Sequence, residues 1–576
     1  MSYKSKYRDW LLNDYFDEET KEELESIKEN EQEIEDRFYK NLEFGTGGMR
    51  GKMGAGTNRI NKYIVRKATQ GLANYVINYS EKGKDSGVVI AYDSRYKSRE
   101  FAEETALVLA GNGIKAYLFE ELRPTPELSF AVREIGAEAG VVVTASHNPP
   151  EYNGYKVYGS DGCQLVPDKA RKVIAEINEL DDFSLIKRMD KSEAEEKGLF
   201  ERLGSDMDEK YQKAIINVLP DVELANKSGK NLKIIYSPLH GTGNKPVRNV
   251  LSELGFKEMM VVQRQAEPDP EFSTVSSPNP EERESYTLAL ELADSYNPDL
   301  IMATDPDGDR LGALIKDEDS YTALNGNEVG VLMADYLLSR KEEKGQLPEF
   351  PVIIKTIVST EMIRPIAEKY NADVKDVLTG FKYIGDEIKK MESTDEDFIL
   401  GFEESFGYLT GTYVRDKDAV NAAALLAMMA LYYQEERGIN LLQRLSELRE
   451  EHGFFLEDLE SMRLEGKEGQ EEIERIITSL RETSPDEIAG NKVMVFKDYL
   501  NKVAKDFSTG EEKEIDLPES NVLQFILADE SRITIRPSGT EPKLKFYFAV
   551  RSTSEKKAIA NLESLKEEFL NMISEI

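Results

Sequence analysis

The chain has 576 residues, 40% hydrophobic and 32% charged, an ordinary globular balance with more material than one hydrophobic core can hold. Its 109 acidic against 74 basic side chains leave a formal charge of −35, a field that repels nucleic acid and anionic membranes and argues against both as partners. One cysteine excludes an internal disulfide framework and a cysteine-rich zinc site, and three histidines argue against a multi-histidine metal site.

Residues 1–40 are acidic with helical spacing and lack the apolar core of a signal peptide, so a helical extension on a cytoplasmic protein is expected. Leu42 to Gly51 is glycine-dense and carries Arg50; it reads as a loop, with neither the dinucleotide fingerprint nor the P-loop spacing. A helical pattern from Tyr63 leads to the strand Val88–Tyr92, a helix over 99–112, a strand over 115–119 and a Pro124-Thr125-Pro126 turn. The short apolar strand Gly140–Val143 then breaks at Ser146-His147-Asn148-Pro149-Pro150, where two prolines forbid a ladder. Residues 183–210 read as a polar connection.

A second unit opens with the strand Leu232–Tyr236 and the loop Ser237–Gly243, and reaches Asp305-Pro306-Asp307-Gly308-Asp309-Arg310 between strands over 299–304 and 311–315. A third carries strands over 352–355 and 398–400 and the loop Gly401–Tyr408. The apolar run Ala419–Tyr433 is shorter than the ~20 residues a bilayer needs and reads as a buried helix. Residues 440–490 read as mainly acidic helix; a strand over 532–535, the loop Arg536–Pro542, an alternating strand over 543–551 and an amphipathic helix close the chain. The fold class is α/β: three similar α/β domains with mixed, mainly parallel sheets and a C-terminal α+β domain. The expected boundaries are 1–40 for the extension, then 41–208, 209–322, 323–450 and 451–576 for the four domains.

Ser146 sits at the carboxyl end of a buried strand, where open α/β sheets place their chemistry, and is the candidate nucleophile or phosphate carrier. A serine hydrolase is disfavoured: there is no Gly-x-Ser-x-Gly elbow, and His147, adjacent in extended chain, should point away from Ser146. Lys156 could fold back past an Asn153-Gly154 turn to serve as acid or base, although a surface lysine is the commoner state. Asp305, Asp307 and Asp309 alternate after a strand and aim three carboxylates at one point, as a hard divalent cation requires. A calcium loop does not fit, because its sixth position is Arg310 and its twelfth Lys316. Glu403-Glu404-Ser405 suits sugar hydroxyls or is simply a solvated acidic loop. Arg536-Pro537-Ser538-Gly539-Thr540 could surround a phosphate or be an ordinary tight turn.

Four of these stretches together resemble the α-D-phosphohexomutases: Thr144-Ala-Ser-His-Asn-Pro149, Asp305-Pro-Asp-Gly-Asp-Arg310, Glu403-Glu-Ser-Phe-Gly407 and Arg536-Pro-Ser-Gly-Thr-Glu541. The resemblance covers nearly the whole chain and is similar to the longer-chain subgroup related to phosphopentomutases and phosphomannomutases. It implies four domains around a central cleft, with Ser146 as phosphoserine and Lys156, Arg50 and Arg310 as catalytic residues. Asp305, Asp307, Asp309 and a phosphoserine oxygen would hold one Mg²⁺ per chain. Glu403, Ser405 and Lys417 would bind the sugar, and Arg536, Ser538, Gly539 and Thr540 its phosphate. The implied reaction interconverts glucose 1-phosphate and glucose 6-phosphate through glucose 1,6-bisphosphate, which is both intermediate and activator. A pentose or mannose phosphate mutase, a glucose 1,6-bisphosphate synthase and an inactive sugar-phosphate-binding protein are the alternatives. Phe402 and Tyr408-Leu409 depart from the family's sugar loop and bear on that choice. Sugar phosphates are the expected partners, with no obligate protein partner.

Overall fold

A computed structural model describes residues 2–45, 47–180, 182–464, 466–538 and 543–576. The chain divides into two compact units, Met1–Gly326 with Phe381–Asn440, and Asn327–Gly380 with Leu441–Ile576.

The first unit begins with the helices Tyr3–Leu12, Glu18–Ser26 and Glu31–Phe38, whose N-caps Ser2, Asp17 and Asn30 each accept a backbone N–H through the side chain. Their apolar residues form a separate small core. Trp10 stacks on Phe16 at 4.2 Å and meets Tyr63 of the helix Lys62–Tyr79 edge-on at 5.7 Å, which fastens the extension to that helix.

The first sheet contains β1 (Gly48–Lys52), β2 (Val88–Tyr92), β3 (Ala116–Phe119), β4 (Ala139–Val143), β5 (Tyr152–Gly159) and β6 (Phe200–Leu203), in the order β1-β5-β4-β2-β3-β6. β2 is parallel to β3 and β4, and β6 to β3; β5 and β1 run antiparallel. Every residue of β2 and β4 is buried, as strands covered on both faces require, and this is why they read as unbroken apolar runs.

Several expectations are corrected here. The glycine-dense stretch contains a strand: Gly48 has φ +128°, and a Cβ there would lie 2.1 Å from the Tyr155 carbonyl oxygen, so glycine permits the pairing. Asn153-Gly154 is no turn but lies inside β5, opposite Gly51 and Arg50. The connection 183–210 contributes β6, and Thr125-Pro126 opens the helix Thr125–Ile135, with proline in its first turn.

The second sheet contains β7 (Ile234–Ser237), β8 (Met259–Val261), β9 (Leu300–Thr304), β10 (Leu311–Asp317) and β11 (Ser320–Leu324), in the order β11-β10-β9-β7-β8. β7 is parallel to β8 and β9, while β10 is antiparallel to β9 and β11. Strand Asp397–Glu403 likewise pairs antiparallel with Gly407–Leu409. One arrangement therefore recurs: Ser146 lies between β4 and its antiparallel successor β5, the aspartates between β9 and β10, and Ser405 between the third such pair. The apolar run forms the buried helix Ala419–Tyr432, capped by the Asp418 side chain, which accepts from the N–H groups of Val420 and Asn421.

The second unit holds the parallel pair Pro351–Thr356 and Asp373–Val377 and a C-terminal antiparallel sheet on which the helix Glu555–Ser574 packs. Phe454–Arg463, expected as helix, is a strand paired along its length with Lys543–Ser552. Its acidic composition favours helix locally, but Phe454, Leu456 and Met462 gain burial against the sheet core, and tertiary pairing prevails.

Candidate functional site

Ser146 is 3% exposed and adopts φ +51°, a left-handed conformation uncommon for a residue with a side chain. Its N–H donates to Thr144 Oγ1 at 2.8 Å, and its Oγ donates to Asp305 Oδ2 at 2.7 Å. The same backbone twist overturns the expectation for His147, whose Nδ1 lies 3.2 Å from Ser146 Oγ instead of pointing away. Burial, reinforced by Arg310 and Arg50, pushes His147 well below the usual imidazole range and keeps it neutral. Among the described residues no carboxylate hydrogen-bonds the His147 ring, so no hydrolase triad forms.

A residue outside every motif holds this loop. Arg95, just beyond β2, donates to the carbonyls of Ser146 at 2.6 Å, Pro149 at 2.8 Å and Tyr152 at 3.1 Å, and also to that of Asn148. Asp93 lies 3.3 Å from Arg95 Nε, with both side chains fully buried, and Phe272 packs against the guanidinium at 4.9 Å. The one sequence signal is an arginine two residues past an aspartate at the carboxyl end of a strand adjacent to β4. Arg50 adds a bond from Nη1 to Asn148 Oδ1 at 2.7 Å.

Asp305, Asp307 and Asp309 are all buried and offer ligand oxygens within 4.8 Å of one another. Asp305 Oδ1 accepts the N–H groups of Asp309 and Arg310, both at 3.0 Å, which curls the loop around that carboxylate. The loop after β7 braces it: Thr242 N–H donates to the Pro306 carbonyl at 2.9 Å, and a Cβ on Gly241 would come within 2.4 Å of Pro306 Cα. Thr125 Oγ1 and Lys156 Nζ both donate to Asp307 Oδ2, at 3.0 and 2.7 Å. Lys417 Nζ reaches Asp309 Oδ2 at 2.9 Å. Asp307 Oδ1 and Asp309 Oδ1 are buried with no hydrogen-bond partner among the described residues.

Burial, with Asp307 and Asp309 beside it, pushes Asp305 well above the ordinary carboxylate range. Burial alone would do the same to Asp307, but Lys156, the Asp305 hydrogen bond and Lys417 outweigh it and hold Asp307 ionised. Lys156 and Lys417 are mostly buried, and the acidic groups around them more than offset the cost of desolvating their charge, raising both. Three buried carboxylates, two of them with an unbonded oxygen and two lysine ammoniums drawn onto them, fit a hard divalent cation. Glu403 lies in the strand before the third loop; burial pushes it up to about 7, and Ser405 Oγ donates to its Oε1 at 3.2 Å. Arg310 pairs with Glu281 and lies 3.9 Å from Asp309.

The first unit thus contains Ser146, Arg50, Lys156, Arg310, the three aspartates, Glu403, Ser405 and Lys417. Arg536 and Ser538 belong to the second unit, where Ser538 N–H donates to the Lys543 carbonyl at 2.8 Å. Gly539 and Thr540 lie outside the described residues. The arrangement can hold a cation and several positive side chains around one hydroxyl, which is what moving a phosphoryl group demands.

Residues 41–183, 209–318, 325–452 and 489–565 match, in turn, the descriptions phosphoglucomutase/phosphomannomutase alpha/beta/alpha domains I, II and III and C-terminal domain. The chain is similar to a phosphoglucomutase from Staphylococcus haemolyticus, 39% identical over 94% of each chain, and to one from Staphylococcus aureus, 38% identical over 91% of this chain and 92% of that one. In fold it is similar to the phosphoglucomutase parafusin from Paramecium, with a TM-score of 0.70 at 16% identity over 93% of this chain and 96% of that one. It also resembles a phosphoglucomutase/phosphomannomutase family protein from Burkholderia thailandensis, with a TM-score of 0.66 at 19% identity over 92% and 96%.

Proposed function

Because this chain belongs to the phosphoglucomutase/phosphomannomutase family, we propose that it interconverts α-D-glucose 1-phosphate and glucose 6-phosphate. The chain is an enzyme, an intramolecular phosphotransferase of the phosphohexomutase type. The observation that carries the mechanism is the Ser146 hydroxyl bonded at 2.7 Å to Asp305 within a buried acidic cluster.

In this reading Ser146 Oγ carries the phosphoryl group and gives it to the free hydroxyl of a sugar monophosphate, producing glucose 1,6-bisphosphate. The bond from phosphorus to Ser146 Oγ breaks as the bond to the sugar oxygen forms. Lys156, held protonated by Asp307 and Asp309, supplies a proton to the departing serine oxygen; the attacking hydroxyl releases its own proton to water, and Lys156 takes one back from water, so no net proton is gained or lost. The bisphosphate turns end for end, its other phosphate returns to Ser146, and the product is released. Free bisphosphate activates the enzyme by reloading Ser146. Asp305, Asp307 and Asp309 would hold one Mg²⁺, which when bound neutralises charge on the phosphoryl oxygens as a Lewis acid. Arg50 and Arg310 add fixed positive charge, and Arg95 keeps the loop carbonyls turned inward, away from the incoming phosphate. Glu403, Ser405 and Lys417 orient the sugar, while Arg536, Ser538, Gly539 and Thr540 receive the phosphate that is not transferred.

No helix among the described residues is long and apolar enough to cross a membrane, and sugar phosphates as substrates favour a cytoplasmic setting. Turnover on glucose 1-phosphate, mannose 1-phosphate and ribose 1-phosphate tests the assignment. Glucose 1-phosphate should give the highest kcat/KM, and Asp307→Asn should lower kcat by about a hundredfold or more while raising the magnesium requirement. A higher kcat/KM on ribose 1-phosphate, or an Asp307→Asn enzyme with unchanged magnesium dependence, would contradict it.

A further inference from the structure

The second unit contains a cavity of about 230 Å³ whose residues take no part in the proposed reaction. Ile357, Tyr499, Ile515 and Leu517 give it apolar walls, and Lys497 and Arg532 line it from the two strands of the C-terminal sheet that flank the strand carrying Gln524. The floor is fixed. Gln524 pairs in register with Lys497, is 2% exposed, and donates to the Ile357 carbonyl at 3.2 Å and to Thr534 Oγ1 at 2.9 Å.

The charges around the cavity do not balance. Glu361 forms ion pairs with Lys355 at 2.8 Å and Arg532 at 2.6 Å and accepts a hydrogen bond from Arg364 Nε at 2.6 Å. Asp376 pairs with Lys355 at 2.9 Å and with Arg364 at 2.5 Å. Lys497 Nζ makes no hydrogen bond or ion pair among the described residues, and Arg532 Nε is buried with no hydrogen-bond acceptor, while Glu361 Oε1 and Asp376 Oδ1 are held by charge contact alone. The remaining acidic lining residue, Glu514, is 80% exposed at its side chain and turns to Lys502 at 3.6 Å. Lys497 and Arg532 on the lining, with Lys355 and Arg364 in the ion-pair cluster that joins it, thus outnumber the two carboxylates of that cluster, Asp376 on the lining and Glu361 beyond it, in a chain that is otherwise strongly acidic. A cluster two positive charges in excess, with an unpaired ammonium and an unbonded guanidinium N–H on one cavity wall, is built to receive a dianion.

We propose that this cavity is a binding site for a compact phosphate dianion, either inorganic phosphate or a small phosphate monoester. Its phosphate lies between Lys497 and the Arg532 Nε edge, and any organic body rests on Tyr499 and Ile515. The volume lies below the range of about 300–1,000 Å³ typical of drug-sized ligands, which restricts the occupant to a small metabolite. Because Ile357 and Asp376 come from one segment and Lys497 and Arg532 from another, the bound anion ties Asn327–Gly380 to the C-terminal sheet. That makes it an effector of the unit bearing Arg536, and not a substrate.

Calorimetric titration of the full chain with inorganic phosphate and with glycerol 3-phosphate tests this site. At least one should bind the wild type, with affinity about tenfold lower in Lys497→Gln and changed less than about twofold in Arg536→Gln. Tighter binding of glycerol 3-phosphate marks the occupant as an ester, and tighter binding of phosphate marks it as the free ion. Lys497→Arg keeps the charge and should retain the affinity within about threefold, which separates loss of the cation from misfolding. Absence of binding by both ligands overturns the proposal. So does binding that survives Lys497→Gln, binding that falls equally in Lys497→Gln and Lys497→Arg, or binding that depends on Arg536.

Discussion

Arg95 shows how much a single side chain outside every motif can determine. Its guanidinium bonds the carbonyls of Ser146, Asn148, Pro149 and Tyr152, so one planar fork sets the path of the loop that presents the hydroxyl. A lysine keeps the charge but cannot span those acceptors. Arg95→Lys should therefore lower kcat on glucose 1-phosphate by about a hundredfold with KM changed less than about threefold, because the loop is displaced while the sugar contacts remain. Steady-state kinetics decide this, and a kcat within twofold of wild type would show that the loop holds itself. Glu361 makes a different prediction, about stability. Burial on its own would raise it, but Lys355 and Arg532 outweigh burial and hold it down to about 2 against an ordinary 4.5. A depressed carboxylate stabilises the fold at pH above its unfolded value and loses that contribution as pH falls through the folded one, here from 4.5 towards 2. Glu361→Gln should cost on the order of 3 kcal/mol near neutrality, and the difference from wild type should close across that window. Denaturant unfolding at a series of pH values measures it; a difference independent of pH would remove the ion pairs from the account.

At the scale of elements, β1 depends on glycine at one position. Gly48 sits opposite Lys156, and the nearest atoms to an added Cβ are backbone atoms of Tyr155 and Lys156, which cannot yield as a flexible side chain would. Gly48→Ala should destabilise the first unit by about 2–4 kcal/mol and reduce turnover by displacing Lys156. Unfolding midpoints within error of wild type would contradict the pairing. The central strands β2, β4, β7 and β9 were legible in the sequence because full burial makes them short, unbroken apolar runs. The outer strands were not. Phe200-Glu201-Arg202-Leu203, the glycines of β1 and the acidic Phe454–Arg463 carry no strand signal of their own and become strands through the partners they meet. The same division holds at the site. The alternating aspartates announce themselves by spacing, whereas Arg95 works through backbone carbonyls and leaves no pattern, and nothing in the residue type of Ser146 announces the left-handed twist that brings His147 alongside it.

Across the whole molecule, one arrangement serves three loops. Each follows a strand that passes to an antiparallel partner, so the Ser146, aspartate and Glu403-Ser405 loops occupy corresponding places in successive α/β repeats. A net charge of −35 opposes any anionic substrate, and the chain answers locally with Arg50 bonded to the Ser146 loop and with Lys156, Arg310 and Lys417 beside carboxylates that raise them and keep them charged. This arrangement serves a phosphoryl group that rests on the protein between transfers, and that resting state can be observed directly. The wild type and Ser146→Ala should each be incubated with glucose 1,6-bisphosphate labelled in its phosphates, then digested and mapped by mass spectrometry. The account predicts label on the wild-type peptide containing Ser146, its loss on addition of unlabelled glucose 1-phosphate, and neither label nor mutase turnover in the variant. Turnover by Ser146→Ala at the wild-type rate, or stable label on another residue with none on Ser146, would contradict it.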